Sequence, residues 1–175
     1  MRFSITTVAA VFAATAFAAP SSFKDIIQKR QQGSFTQQSY DDISISGGVA
    51  GNAEAEALQV FSALDMNNLA AATEADIDFL KSVNSICNDA ETDAFNPAIE
   101  AADGEEADAL QRGKIKNKVL KLEATMIRLM IEQAQGEDVA DKIDAELKKL
   151  NNNIQQDEDE AGQPSTFLSF DAQTA

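Results

Sequence analysis

Ile115-Lys116-Asn117-Lys118-Val119-Leu120-Lys121-Leu122-Glu123-Ala124-Thr125-Met126-Ile127-Arg128-Leu129-Met130-Ile131 carries the strongest periodicity in the chain. Ile115, Val119, Leu122, Met126 and Leu129 recur at spacings of four and three, which winds one apolar seam along a helix. Leu120, Ile127 and Ile131 fall roughly 120–160° away from that seam at about 100° per residue, so the helix is apolar on two sides. Such a helix has to be covered on both sides. The stretch therefore predicts the central helix of an all-α protein, an antiparallel helical bundle with non-helical N- and C-terminal segments packed on it.

Working outward, Gly136 reads as the residue just past the end of this helix, and Val139, Ile143, Leu147, Leu150 and Ile154 make the inner face of a last helix. That helix is expected to close over Asp157–Glu160 and Gly162–Pro164. Residues 163–175 then form a tail whose Phe167, Leu168 and Phe170 are expected to dock. Upstream, Gly104 breaks or bends the chain, and Asn96-Pro97 reads as a cap followed by a proline in a first turn. Thr73 with Asp76 three residues on has the form of a capping box, and Ile77, Leu80, Asn84, Cys87 and Ala94 mark the inner stripe of the helix it starts. Asn52 is placed to cap a first helix whose Glu54 and Glu56 suit its positive end and whose apolar face is Ala57, Val60, Phe61 and Leu64. Residues 31–51, rich in Gln, Ser and Gly, read as a non-helical arm in which Ile43 and Ile45 alternate with polar neighbours.

The start of the chain carries an address. Arg2 precedes an apolar run from Ile5 to Ala19, and Ala16-Phe17-Ala18 supplies the small-x-small pattern that signal peptidase cleaves after. Residues 1–18 are read as a signal peptide ending at Ala18, which predicts a secreted, extracellular protein. Lys29-Arg30 is a dibasic pair of the kind kexin-type proteases cut, so 19–30 reads as a propeptide and 31–175 as a single helical domain, with helices over 52–162. The apolar run, about 15 residues, is short of the roughly 20 needed to span a bilayer, and no membrane span is expected. The C-terminus lacks the apolar tail of a lipid-anchor signal, so release into the medium or retention by a cell wall is expected.

The full chain has 14 basic and 29 acidic residues, a net charge of −15. Residues 1–30 hold four of the basic residues and one of the acidic ones, so the processed chain stands at −18. A chain this acidic is repelled by nucleic acid and by anionic membranes, and neither is expected as a partner. Cys87 is the single cysteine and reads as a buried small hydrophobe, so stability must come from packing and not from an internal disulfide. No Asn-x-Ser/Thr acceptor occurs, leaving solubility to charge. The expected species is a monomer or a weakly self-associating one.

Ser46-Gly47-Gly48-Val49-Ala50-Gly51-Asn52-Ala53, Phe95-Asn96-Pro97-Ala98-Ile99, Gly113-Lys114-Ile115-Lys116-Asn117-Lys118-Val119-Leu120-Lys121-Leu122 and Lys148-Lys149-Leu150-Asn151-Asn152-Asn153-Ile154 together resemble the small secreted proteins of filamentous ascomycete fungi. The similarity spans nearly all of the chain after residue 30. It implies fungal origin and secretion, and it implies no activity. In layout the chain is also similar to the hydrophobic-surface-binding proteins of fungal cell walls, which are secreted, cysteine-poor and helical. No motif carries over from them residue by residue.

The absence of histidine removes His-based triads, Cys-His pairs, zincin sites and most transition-metal sites together, and no metal or other cofactor is expected. Asp157-Glu158-Asp159-Glu160 lacks the alternating ligands and loop glycine of an EF-hand and reads as a solvated acidic helix end. Gly47-Gly48-Val49-Ala50-Gly51 before a helix start has the look of an anion-binding nest without the spacing of a nucleotide fingerprint, and reads as a turn. The remaining feature is basic. Lys114, Lys118, Lys121 and Arg128 lie within about 80° of arc on the long helix of an otherwise acidic protein. Arg128 with Glu132 and Asp108 with Arg112 offer i,i+4 pairing as one explanation of these charges; a docking stripe for an anionic wall polymer or an acidic protein partner is the other. The reading is a non-enzymatic binding or interaction protein acting at the cell surface or toward a host or competitor. An apolar-ligand or hydrophobic-surface-binding carrier, with Met126, Met130, Phe61 and Phe79 lining a cavity, is the alternative. A carboxylate enzyme acting on polysaccharide comes third, and would need two facing carboxylates roughly 5–10 Å apart.

Overall fold

The chain from Gly104 to Ala134 forms one 31-residue helix, about 46 Å long at about 1.5 Å per residue. In the computed structural model, which describes residues 33–175, both of its apolar seams are buried: Ile115, Val119, Leu122, Met126 and Leu129 on one, Leu120, Ile127 and Ile131 on the other. In chain order the elements are α1 (Tyr40–Ile43), β1 (Gly48–Val49), α2 (Ala53–Val60), a 3-10 turn (Leu69–Ala71), α3 (Glu74–Ala90), a π turn (Glu91–Phe95), α4 (Asn96–Ala101), α5 (Gly104–Ala134), α6 (Ala140–Asp159) and β2 (Pro164–Ser165). The fold is all-α, with α2, α3 and α6 packed against α5 and, among the described residues, only a two-stranded ribbon besides.

Local chemistry explains the boundaries. Thr73 and Asp76 form the full capping box that starts α3, the Thr73 hydroxyl accepting from the Asp76 amide and the Asp76 carboxylate accepting from the Thr73 amide. At the other end of the long helix, Gly136 has φ +101°, its N–H donating to Gln133 and that of Glu137 to Glu132. This is the six-to-one and five-to-two pattern that closes a helix where a glycine can turn left-handed.

Three local expectations are corrected. Asn96-Pro97 does not restart the chain: Asn96 has helical angles, φ −59° and ψ −51°, and helix runs on from α3 through the π turn into α4. Pro97 has no N–H to give and its ring crowds the turn before it; the wider π turn at Glu91–Phe95 accommodates both. The arm read as non-helical contains one helical turn, α1, started by a Ser39–Asp42 capping box. Leu147, placed by periodicity on the inner face of α6, is 40% exposed.

The two ends of the described chain hold each other. β1 pairs antiparallel with β2, Gly48 opposite Ser165. The Tyr40 amide donates to Ala172, the Gln38 amide to the Thr174 hydroxyl at 2.8 Å, and the Thr174 amide back to Gln38. Phe170 meets Tyr40 edge-on at 5.9 Å, and the Tyr40 hydroxyl donates to Asn117 Oδ1 in the core at 3.0 Å. Gly113 makes room for this crossing, since a Cβ there would sit 2.1 Å from the Thr166 carbonyl oxygen. Of the three apolar tail residues Phe167 stays the most open, at 40%.

Candidate functional site

Three helices leave a polar groove of about 490 Å³ on one flank of the bundle. α3 contributes Asn84 and Asn88, one turn apart; α5 contributes Lys118, Lys121, Leu122 and Thr125; α6 contributes Glu146, Lys149, Asn152 and Asn153. The i, i+3 and i, i+4 spacings put each set on a single helix face, and the antiparallel packing brings the faces together. The volume falls in the range of about 300–1,000 Å³ of small-ligand clefts.

Hydrogen bonds fix much of the lining. Asn84 Nδ2 donates to the Thr125 hydroxyl at 2.8 Å, and that hydroxyl donates to the Lys121 carbonyl at 3.0 Å. Lys121 Nζ pairs with Glu91 Oε2 at 2.7 Å, both side chains mostly buried, and Lys149 Nζ pairs with Glu146 Oε1 at 2.7 Å. Among the described residues Lys118 makes no ion pair, so one ammonium charge in the groove is unanswered. Asn153 is 5% exposed. Its Nδ2 donates to the Lys149 carbonyl at 2.8 Å, whereas its Oδ1 has no hydrogen-bond partner among the described residues. A buried acceptor left so costs about 1–3 kcal/mol.

The structure brings only two of the four cations singled out from sequence, Lys118 and Lys121, into the groove. Lys114 instead donates to Asn96 Oδ1 at 2.7 Å, and Arg128 pairs with Glu132 along the helix. Arg112 pairs not with Asp108 but with Glu105 and Glu160, and also donates to the Pro164 carbonyl. The processing residues Ala18, Lys29 and Arg30 lie outside the described residues.

Two polar features escaped the sequence reading. Lys116 is 0% exposed, its ammonium donating to the carbonyls of Gly47 at 2.8 Å and Val49 at 3.1 Å and pairing with Glu56 at 2.8 Å. Its i+4 relation to Leu120 on the second seam was the available signal. Lys149 and the asparagines of α6 form the groove's third wall, yet their 3.6-residue spacing is that of any solvated face.

The glycine turn and the acidic run explain each other. Gly51 and Ala53 donate their amides to Asp157 Oδ2 at 2.9 and 2.8 Å, so the anion seated at the start of α2 is the chain's own carboxylate. Asp157 is therefore buried and not solvated. Cys87 is buried, and burial pushes its thiol up to about 12, which leaves no reactive thiolate. Phe61, Phe79 and Met126 are core residues, and Phe35 of the N-terminal arm stacks on Phe79 at 4.2 Å and meets Phe61 edge-on. Among the described residues no cluster of three acidic or cysteine side chains is placed to hold a metal, and no helix is long and apolar enough to cross a membrane.

Fold and groove together define an all-α protein with a polar, amide- and lysine-lined cleft between helices. The chain belongs to the family described as Domain of unknown function (DUF8454), whose model matches residues 35–169. The match begins at Phe35, the first aromatic residue of the docked arm, and takes in all the helices and the ribbon. No curated protein and no solved structure matches the chain.

Proposed function

We propose that this is a secreted fungal protein with a non-enzymatic binding role at the cell surface or toward a host or competitor, and that it binds through the groove between α3, α5 and α6. The observation that carries the reading is the unanswered Lys118 charge beside two further lysines in a cleft of a protein with net charge −15. Local positive charge in a concave, partly desolvated site on an acidic body selects an anionic partner by position, because the rest of the surface repels it. Among the described residues Glu146 is the single carboxylate of the lining, and it is held by Lys149. That arrangement suits holding a ligand and gives no pair of carboxylates for glycoside cleavage.

The test is salt-sensitive retention of the secreted protein on acidic wall polymer. Lys118→Glu is expected to abolish retention at low salt with an unchanged melting temperature. Retention that survives this reversal removes the groove from consideration.

A further inference from the structure

We propose that the groove receives a uronic-acid residue of a polysaccharide, Lys118 taking its carboxylate and Asn153 Oδ1 taking one of its hydroxyls. This rests on the reading of the groove as the docking site and names what docks there.

The charge balance points to a monoanion. Lys121 is answered by Glu91 and Lys149 by Glu146, which among the described residues leaves Lys118 as the unpaired cation of the lining. A carboxylate matches one unit of charge. A phosphorylated or densely sulfated ligand would bring two or more charges to that site, on a body that repels the excess.

The hydrogen-bond balance points to hydroxyls. Asn153 Nδ2 is committed to the Lys149 carbonyl, and turning the amide over would set oxygen against oxygen, so Oδ1 is an acceptor without a partner among the described residues, in a buried side chain of the groove lining that has to move outward for a ligand to reach it. It calls for a ligand donor. Asn84 Nδ2 is likewise committed, to Thr125, and Asn88 Oδ1 accepts from Lys121 Nζ at 3.4 Å, while the Asn88 amide nitrogen and the exposed amide of Asn152 offer donor and acceptor atoms at the rim. Vicinal sugar hydroxyls also donate and accept, which a row of asparagines matches and a carboxylate alone does not. The buried Leu122 side chain gives the floor an apolar surface for a sugar ring.

The experiment is titration calorimetry of the folded protein with digalacturonate, its dimethyl ester and tetraglutamate, run on wild type, Lys118→Gln and Asn153→Ala with melting curves in parallel. Digalacturonate is expected to bind, and each substitution to weaken it at least tenfold. Lys118 is half-buried, so its variant serves as the test if Asn153→Ala does not fold. Equal binding of the ester overturns the carboxylate assignment. Equal binding of tetraglutamate, with Asn153→Ala without effect, overturns the sugar assignment while the docking reading stands. Binding of none of the three probes overturns the inference; the docking reading falls with it only if Lys118→Glu also keeps its retention on wall polymer.

Discussion

Asp157 and Ala53 lie 104 positions apart in the chain, yet the Ala53 amide donates to Asp157 Oδ2 at 2.8 Å. One carboxylate at the end of α6 thus supplies the cap that the side chain of Asn52, the residue at the N-cap position, does not make. A carboxylate is unfavourable at the negative end of its own helix and favourable at the positive end of another. Asp157 stands at both, and the two amide bonds from Gly51 and Ala53 decide in favour of keeping it.

Asp157→Ala is therefore expected to destabilise the protein by about 1–3 kcal/mol, since one buried and one half-buried amide lose their acceptor. Urea unfolding measures it as a lower midpoint with an unchanged slope. An unchanged midpoint would mean that the cap contributes nothing.

Glu123 sets a pH dependence of the opposite sign to that of an ordinary paired carboxylate. It is 5% exposed and, among the described residues, without an ion-pair partner; burial, with the Glu54 charge adding to it, pushes its carboxyl up to about 7. In the unfolded chain it titrates near 4.5. Between these values the folded state holds a proton that the unfolded state releases, so its contribution is full below about pH 4.5 and is lost as pH rises through 7. The loss is on the order of 1–3 kcal/mol. Glu123→Gln should melt higher than wild type at pH 8 and about equally at pH 4. A constant difference between the two proteins across that range counts against the argument.

Truncation after Gln163 removes β2, the Thr166 amide bond to Ala109, the Phe170–Tyr40 contact and the Thr174 bonds to Gln38. Several kcal/mol should go with them, at about 0.5–1.5 kcal/mol per hydrogen bond. Gly113→Ala tests the same docking without deletion, because its new Cβ collides with the Thr166 carbonyl. Both variants are expected to melt lower, and hydrogen exchange at Tyr40 to rise. A melting curve unaltered by truncation would show the tail to be dispensable for folding.

The fold was legible wherever a seam of apolar residues was long enough to have one period. α5 and the cap at Thr73 follow directly from spacing, and so does the glycine that ends α5. The π turn did not show, because asparagine followed by proline is the ordinary sign of a new helix, and only the continuous packing of Phe95 and Ala90 against the core keeps the helix going. The groove was half legible. Lys118 and Lys121 stood out as charge on one helix, but the partners that sort paired from unpaired lysines, Glu91 and Glu146, come from α3's extension and from α6. Charge counted along one helix cannot anticipate them.

That sorting gives the last prediction. Lys121 and Glu91 form a mostly buried pair at 2.7 Å, so Lys121→Gln leaves a carboxylate without its cation and should cost about 1–3 kcal/mol, between the values for surface and fully buried pairs. Lys118→Gln breaks no ion pair and should shift stability by less than about 0.5 kcal/mol. Adding Glu91→Gln to Lys121→Gln should recover part of the loss, since the stranded carboxylate is then gone, and a double-mutant cycle reads this as a coupling between the two sites. The same Glu91→Gln change in the Lys118→Gln background should show no coupling. If Lys118 and Lys121 instead behave alike in both cycles, the groove has no unanswered lysine to offer an anion, and binding attributed to Lys118 has to be sought elsewhere on the protein.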